Sequence, residues 1–169
     1  MVVKIGVIMV TAQFGKDRIL YFRKLGDKTA GAKLALQTEH SWSYERSVDS
    51  TQTKDGAITT GGGLEVSLDI SAISSDDEVN NMLMDSVIEG YTLEVWDVHL
   101  DEVGTGDNKF KAKYAQGRLE NWDIPANVED PIELSTSMKI DGKPQDGEVT
   151  VSVEDQETVR YAFKDLAVE

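Results

Sequence analysis

The chain has 169 residues, of which 40% are hydrophobic and 28% are charged, which is typical of one soluble domain with a buried core. It contains no cysteine, which excludes disulfide scaffolds, thiolate metal sites and cysteine nucleophiles. The net charge is −14, and an acidic surface repels phosphates, so tight nucleic-acid binding is not expected. No run approaches the ~20 apolar residues that span a bilayer, and we expect no membrane partner.

Residues 1–16 are predicted to form an N-terminal arm, followed by a single β-sandwich domain over 17–169. The stretch up to residue 12 is apolar, with Lys4 as its only charge. It lacks the charged start of a signal peptide, and the polar residues Gln13 and Lys16 follow where a small-residue cleavage site would lie. An arm or a first strand is therefore the better interpretation.

The next two segments are predicted to be β-strands, and the second of them has period-two alternation. Segment 17–25 is apolar on both faces at its centre, which indicates a strand covered on both sides. Segment 33–44 places Leu34, Leu36, Trp42 and Tyr44 on one side. An apolar face opposite a polar face is typical of antiparallel sheet.

A long loop is predicted at about 48–63, because the segment is polar and ends in three glycines. Loops longer than ~12 residues without structure of their own tend to be functional or disordered. Two interpretations stay open at this point. The segment is either a mobile surface loop or one that becomes ordered only against a neighbouring subunit.

A strand over 64–71 and an α-helix over about 76–89 come next. The strand alternates leucine, valine and isoleucine with acidic and serine residues. In the helix, Ser75 and Asp76 are candidate caps, apolar residues recur at i, i+3, i+4 and i+8 from Val79, and Gly90 ends it.

The second half of the chain predicts a hairpin, two further strands and a short C-terminal helix. The hairpin joins 91–100 to 109–114 through a turn at 101–108, and a change of phase near Trp96 indicates a bulge or burial on both faces. Segments 131–141 and 149–153 alternate again. Ser152 begins a capping box, and Val159, Phe163 and Leu166 would line one helical face. The fold class predicted is mainly β, an antiparallel sandwich or barrel with one packed helix.

No catalytic, cofactor-binding or metal-binding residue is predicted. His40 and His99 lie on strands without paired metal spacing, and the segment 26–33 departs from a phosphate-binding loop because Ala32 separates Gly31 from Lys33. The acidic residues near Asp97 could hold calcium in a turn, but solvated carboxylates are more common there. The three tryptophans are better explained as core residues than as a ligand platform.

The order of segments resembles the major tail protein, or tail tube protein, of long-tailed siphophages that infect Gram-positive bacteria. The similarity covers about residues 17–166, and its most specific block is LALQTEHSWSYERSVDSTQTKDG, supported by LEVWDV and the terminal YAFKD. The resemblance implies a β-sandwich with a flanking helix, in which six subunits lend about four strands each to a closed barrel wide enough for DNA.

The resemblance also implies the partners and the place of the protein. It implies hexameric rings stacked into the tail tube of the virion, made in the host cytoplasm, with tape-measure and tail-terminator or baseplate proteins as further partners. Double-stranded DNA would pass through without specific binding. If a good share of the net charge of −14 lines the lumen, the phosphates of the DNA are repelled from it. Lys109, Lys111 and Lys113 do not fit an acidic lumen, and we expect them to face a neighbouring acidic surface or the outside.

The predicted loop is the candidate contact between subunits or rings. Its residues are Asp49, Ser50, Thr51, Gln52, Thr53, Lys54, Asp55 and Gly56. Three alternatives stay open: a binding module, for example for carbohydrate, an enzyme on an all-β scaffold, and the tube protein of a contractile-type bacterial secretion system.

Overall fold

The computed structural model describes residues 12–160, which form eight β-strands, two α-helices and a 3-10 helix at Gly15–Asp17. The strands are β1 (Arg18–Lys24), β2 (Ala32–Lys33), β3 (Gln37–Thr53), β4 (Gly56–Ile73), β5 (Leu93–Val103), β6 (Lys109–Leu119), β7 (Glu133–Ile140) and β8 (Gln145–Thr150). The helices are α1 (Glu78–Glu89) and α2 (Val153–Arg160). Residues 1–11 of the predicted arm, and Phe163 and Leu166 of the predicted C-terminal helix, lie outside the described residues.

Within residues 12–160 the strands pair only antiparallel, in the order β2-β1-β5-β6-β7-β4-β3, with β8 paired to β6. The sheet curls until its two ends face each other. The amide of Gln37 on β3 bonds both backbone groups of Leu20 on β1, at 3.0 Å and 3.1 Å. The predicted antiparallel sandwich or barrel is confirmed.

Two apolar clusters hold the curled sheet together. The larger one lies between the layers and includes Leu20, Phe22, Leu68 and Met138, all fully buried. The smaller one lies on the other side of β1, β5 and β6 and includes Val98. Ile19 and Tyr21 of β1 pack against it, which confirms that this strand is covered on both faces.

The expected strand over 33–44 is interrupted. Leu34 is buried as predicted, but Leu36 has a positive φ of 53° and is 60% exposed. The chain turns here so that Gln37 can reach β1, and a continuous strand would carry it past that partner. Alternation over a broken segment therefore overstated the length of the strand.

Helix α1 begins at a different cap from the one predicted. The Asp77 carboxylate, rather than Ser75 or Asp76, accepts the backbone N–H of Asn80 at 2.8 Å. Gly90 ends the helix with φ 76°, as predicted, because glycine has no Cβ to clash in the left-handed region. Its apolar face packs on the main cluster, with Leu83 fully buried.

The predicted loop at 48–63 is wrong, because these residues form the outer part of a β-hairpin. Strands β3 and β4 pair as far as Thr53 and Gly56, and only Lys54 and Asp55 make the turn. The segment is rich in threonine, whose β-branched side chain favours strands, and Asp-Gly favours a tight turn. The polarity and glycines that indicated a loop reflect a strand pair without a core beneath it.

Gly117 marks a close approach between β6 and β7. An added Cβ at this position would lie 2.0 Å from the Lys139 carbonyl oxygen, whereas one at Gly63 would meet nothing within 4 Å. We expect Gly117→Ala to lower the free energy of unfolding by about 1–3 kcal/mol, because the backbone of β7 must move. Urea unfolding of the unassembled protein would measure it, with Gly63→Ala as the matched control. Equal stability of both variants would contradict the close approach.

Candidate assembly surfaces

The outer face of the layer formed by β3, β4 and β7 is polar and is here called the serine–acid face. Inward positions on these strands alternate with outward ones, as the burial pattern of β7 shows. The outward residues pair across the ladder, for example Glu45 with Glu65 and Asp69 with Ser137. The members of the face are Glu39, Ser41, Ser43, Glu45, Glu65, Ser67, Asp69, Ser71, Glu133, Ser135, Ser137 and Lys139.

This face is acidic and rich in serine. It carries five carboxylates, and Lys139 is its only basic residue. The Ser137 hydroxyl donates to Asp69 at 2.6 Å, and the Lys139 ammonium lies 3.7 Å from a Glu120 carboxylate oxygen outside the face. Serine is short and uncharged, so the carboxylates dominate the charge of this surface. Reasoning from alternation alone separated the two sides of each strand but did not show which outward residues share one face.

The second surface is the distal hairpin, defined as residues 47–63. Six strand pairs extend from Val48 and Gly61 to Thr53 and Gly56, and every residue of the segment is exposed. At ~3.3 Å per residue the hairpin reaches about 25 Å beyond the sheet. Its start is marked by a bulge between Arg46 and Val48. All eight residues predicted as contacts, from 49 to 56, lie at its outer end, brought together by the turn.

The turn is held by local hydrogen bonds. The Thr53 hydroxyl donates to the Gly56 carbonyl at 2.6 Å and accepts the Asp55 N–H at 3.3 Å. Gly56 has φ 119°, which a residue with a Cβ rarely adopts. The tip is thus a built turn, and its exposed side chains have no apolar cluster beneath them.

The third surface is the outer edge of β3. This strand is last in the sheet order and pairs only with β4 among the described residues, so one row of its backbone groups meets no other strand. With 17 residues it is much longer than the short edges that monomeric proteins tolerate. The opposite end of the sheet order is β2, which has two residues.

A buried carboxylate fixes β3 to the other layer. Asp97 on β5 is 1% exposed and accepts hydrogen bonds from the Trp42 indole at 2.9 Å and the His40 ring at 3.2 Å. Burial alone would raise the pKa of Asp97, but the bond and charge of His40, with the bond from Trp42, hold that pKa below its usual value. Its other oxygen, Oδ1, is buried without a donor.

A second polar network lies across β1, β5 and β6. Glu94 accepts from Arg23 at 2.6 Å and from the Tyr114 hydroxyl at 2.6 Å. Burial opposes ionisation there, but these bonds hold the pKa of Glu94 below its usual value. Within residues 12–160 no three histidine or acidic side chains are grouped as metal ligands would be, and no helix is long and apolar enough to cross a membrane.

Solved structures share this fold. The phage SPP1 tail tube aligns with a TM-score of 0.73 at 18% identity, covering 86% of this chain and 84% of that one. The tail of an empty gene transfer agent particle, refined with C6 symmetry, aligns at 0.64 and 14% identity, covering 79% and 98%. The anti-feeding prophage baseplate aligns at 0.53 and 13% identity, covering 86% and 100%. The chain therefore has the β fold that these tail and baseplate structures share.

The sequence identifies the family. The chain belongs to the phage tail tube protein family, whose sequence model matches residues 12–146. A Staphylococcus phage phiMR25 chain named as a tail protein is 32% identical over 146 residues, covering 85% of this chain and 76% of that one. A tail tube protein of Bacillus phage SPP1 is 28% identical over 142 residues, covering 82% of this chain but 53% of its own length. The resemblance seen in the sequence and the structural tube role are confirmed.

Acid should loosen the contact between β3 and β5. A carboxylate whose pKa is lowered on folding stabilises the fold above its unfolded pKa, which is about 4, and this stability is lost as the pH falls through the folded value. We expect Asp97→Asn to cost about 1–3 kcal/mol at pH 7, because the buried donors lose a charged acceptor. The variant should also lose less stability than the parent between pH 5 and pH 3. Urea unfolding at several pH values measures both.

The control is Asp146→Asn. The Asp146 side chain is 83% exposed and bonds Lys113 at 2.9 Å, so its loss should change stability little. Equal losses in the two variants would show that Asp97 does not fix β3.

Proposed function

We propose that the chain assembles into hexameric rings that stack into the hollow tail tube of a phage virion, through which double-stranded DNA passes. The observation that carries the proposal is the long outer edge of β3, which has no partner strand in the described chain. The six-fold symmetry of the gene transfer agent tail, which shares the fold, supports the subunit number.

The edge of β3 supplies the physical reason for assembly. Unpaired backbone groups on a long strand invite another strand, and a closed ring of identical copies satisfies every edge. When neighbouring copies pair through these edges, the strands of all copies form the continuous wall of a barrel. A barrel of many strands leaves an aqueous channel at its centre.

The serine–acid face is the proposed lining of that channel. It belongs to the layer that contains β3, so closure through this edge would bring the face of each copy into one continuous surface. Carboxylates repel DNA phosphates, and short serines offer no basic group for them to bind. DNA would therefore pass without adhesion.

The distal hairpin is the proposed contact between rings. Asp49 to Gly56 lie at its end, too far from the core to stabilise the single copy. A tape-measure protein, a tail terminator and baseplate proteins would be the other partners, with synthesis in the host cytoplasm before incorporation into the tail. The role is structural, without an enzymatic activity or a cofactor.

Deleting Ser50 to Gly56 tests the hairpin. The deletion would leave the Asp49–Thr60 pair joined by residues 57–59, a loop length compatible with a hairpin. We expect a folded protein with unchanged thermal stability that forms no tubes, because the deleted residues contact no core. Negative-stain microscopy and thermal unfolding measure the two properties.

The control keeps the length of the hairpin and exchanges exposed polar residues, as in Ser50→Thr with Gln52→Thr. This variant should form tubes. Normal tubes from the deletion variant would refute the assignment of the hairpin to assembly.

Cysteine labelling tests the lumen face, since the natural chain has no thiol. We expect Ser41→Cys and Ser67→Cys to react with a bulky maleimide polymer when unassembled and at least tenfold more slowly in tubes, because a narrow lumen excludes the reagent. Ile88→Cys, on the exposed side of α1 and away from this face, is the control and should react in both states. Equal rates for Ser67→Cys in both states would place the face outside the lumen.

A further inference from the structure

An apolar groove lies at the end of β4 opposite the distal hairpin and is here called the pole groove. It has a volume of about 480 Å³ between the start of α1 and the segment 122–132. Its apolar wall is formed by Ile73, Met84, Trp122, Ile124 and Ile132.

This wall is open to solvent. Ile124 is 45% exposed and Ile132 is 38% exposed. Leu36, 60% exposed, is bonded to Ile73 of the wall, because its carbonyl accepts the Ile73 N–H at 3.0 Å. Contiguous apolar surface of this kind marks an interaction site more often than scattered single residues do.

The lining of the groove also has a polar side. Asn80 lines the groove and is 5% exposed, and its amide nitrogen donates to Ser75 and Asp77. The groove thus combines an apolar wall with polar side chains at the start of α1.

The tip of the distal hairpin has the matching features. Ile58 is 55% exposed two residues after Gly56, with nothing apolar beneath it. Lys54 is the only basic residue between 47 and 63. Asp76 lines one side of the groove, and Glu129 and Asp130 precede Pro131 of its lining, so acidic side chains are available to Lys54. The hairpin also carries Asp49 and Asp55, so the charge match is limited to Lys54.

The positions of the two features determine what they can join. Strand β4 begins at the tip and ends at the groove, and its 18 residues span about 55 Å. A hairpin therefore cannot fill the groove of its own copy. Contacts between opposite ends of identical copies are head-to-tail and continue without limit unless they close.

We propose that the distal hairpin of one copy docks in the pole groove of a copy in the next ring, with Ile58 against the apolar wall and Lys54 facing Asp76. This inference rests on the proposed function, and it names the surface that receives the hairpin. The occupant is a second copy of this chain, because the complementary tip is on the chain itself.

Disulfide trapping tests the contact, since the chain has no cysteine of its own that could react with the two introduced thiols. The variant carrying Ile58→Cys and Ile124→Cys is assembled into tubes under reducing conditions and then oxidised. We expect denaturing gels without reductant to show a ladder that continues beyond six copies, because each copy has one tip and one groove. Equal mixing of the two single variants should stop at dimers.

The matched control pairs Ile58→Cys with Ile88→Cys. Ile88 is 72% exposed and lies near the C-terminal end of α1, whereas the groove is at the start of that helix. This control should give no ladder. A ladder with Ile88→Cys, no ladder with Ile124→Cys in intact tubes, or a ladder ending at six copies would overturn the docking while leaving the tube itself established. Absence of tubes from the unaltered chain would instead overturn the proposed function, and the docking with it.

Exchanging the charges of Lys54 and Asp76 tests the same contact if the cysteine variants do not assemble. We expect Lys54→Glu to lower the yield of tubes at least tenfold and Asp76→Lys in the same chain to restore it. Asp76 is exposed and is not the cap of α1, so its substitution should leave the fold intact. Failure of the second substitution to restore tubes would exclude this pairing.

Discussion

The backbone of β3 imposes the main constraint on this molecule. A strand of 17 residues that pairs on one side leaves a long row of N–H and C=O groups for water or for another chain. The main apolar cluster is buried within a single copy, so the edge is not required to cover the core. The outer edge instead determines what the folded copy can join. Because β3 also carries one arm of the distal hairpin, the two proposed contact surfaces belong to one strand.

Such an edge is useful only if its position is fixed relative to the core. Gln37 bonds both backbone groups of Leu20 at the start of β3, and Asp97 accepts from Trp42 further along. These polar contacts lie between layers that otherwise meet through apolar side chains. A hydrophobic contact tolerates sliding, whereas a hydrogen bond specifies one partner and one register. The assembly edge is therefore positioned by the few directional bonds that cross the core.

Burial explains which elements could be predicted from the sequence. Segments 64–71 and 131–141 alternate because one side of each faces the main cluster, and α1 shows its period because Leu83 and its neighbours pack there. The distal hairpin has no core, so hydrophobic period carries no signal there, and only threonine content and Asp55-Gly56 could have indicated strands. The pole groove and the serine–acid face combine residues from separate elements, and only the fold brings these together.

The distribution of charge connects the fold to the proposed passage of DNA. The lysines of β6 seemed from sequence to oppose an acidic lumen, yet Lys113 bonds Asp146 at 2.9 Å and Lys111 lies 4.0 Å from Glu102. Both pairs are on the layer that holds β5, β6 and β8, away from the serine–acid face. The basic stripe is therefore largely balanced within one copy. The serine–acid face of β3, β4 and β7 has five carboxylates against one lysine, and the proposed ring of copies would multiply this local excess of acid where a surface that repels phosphate is needed.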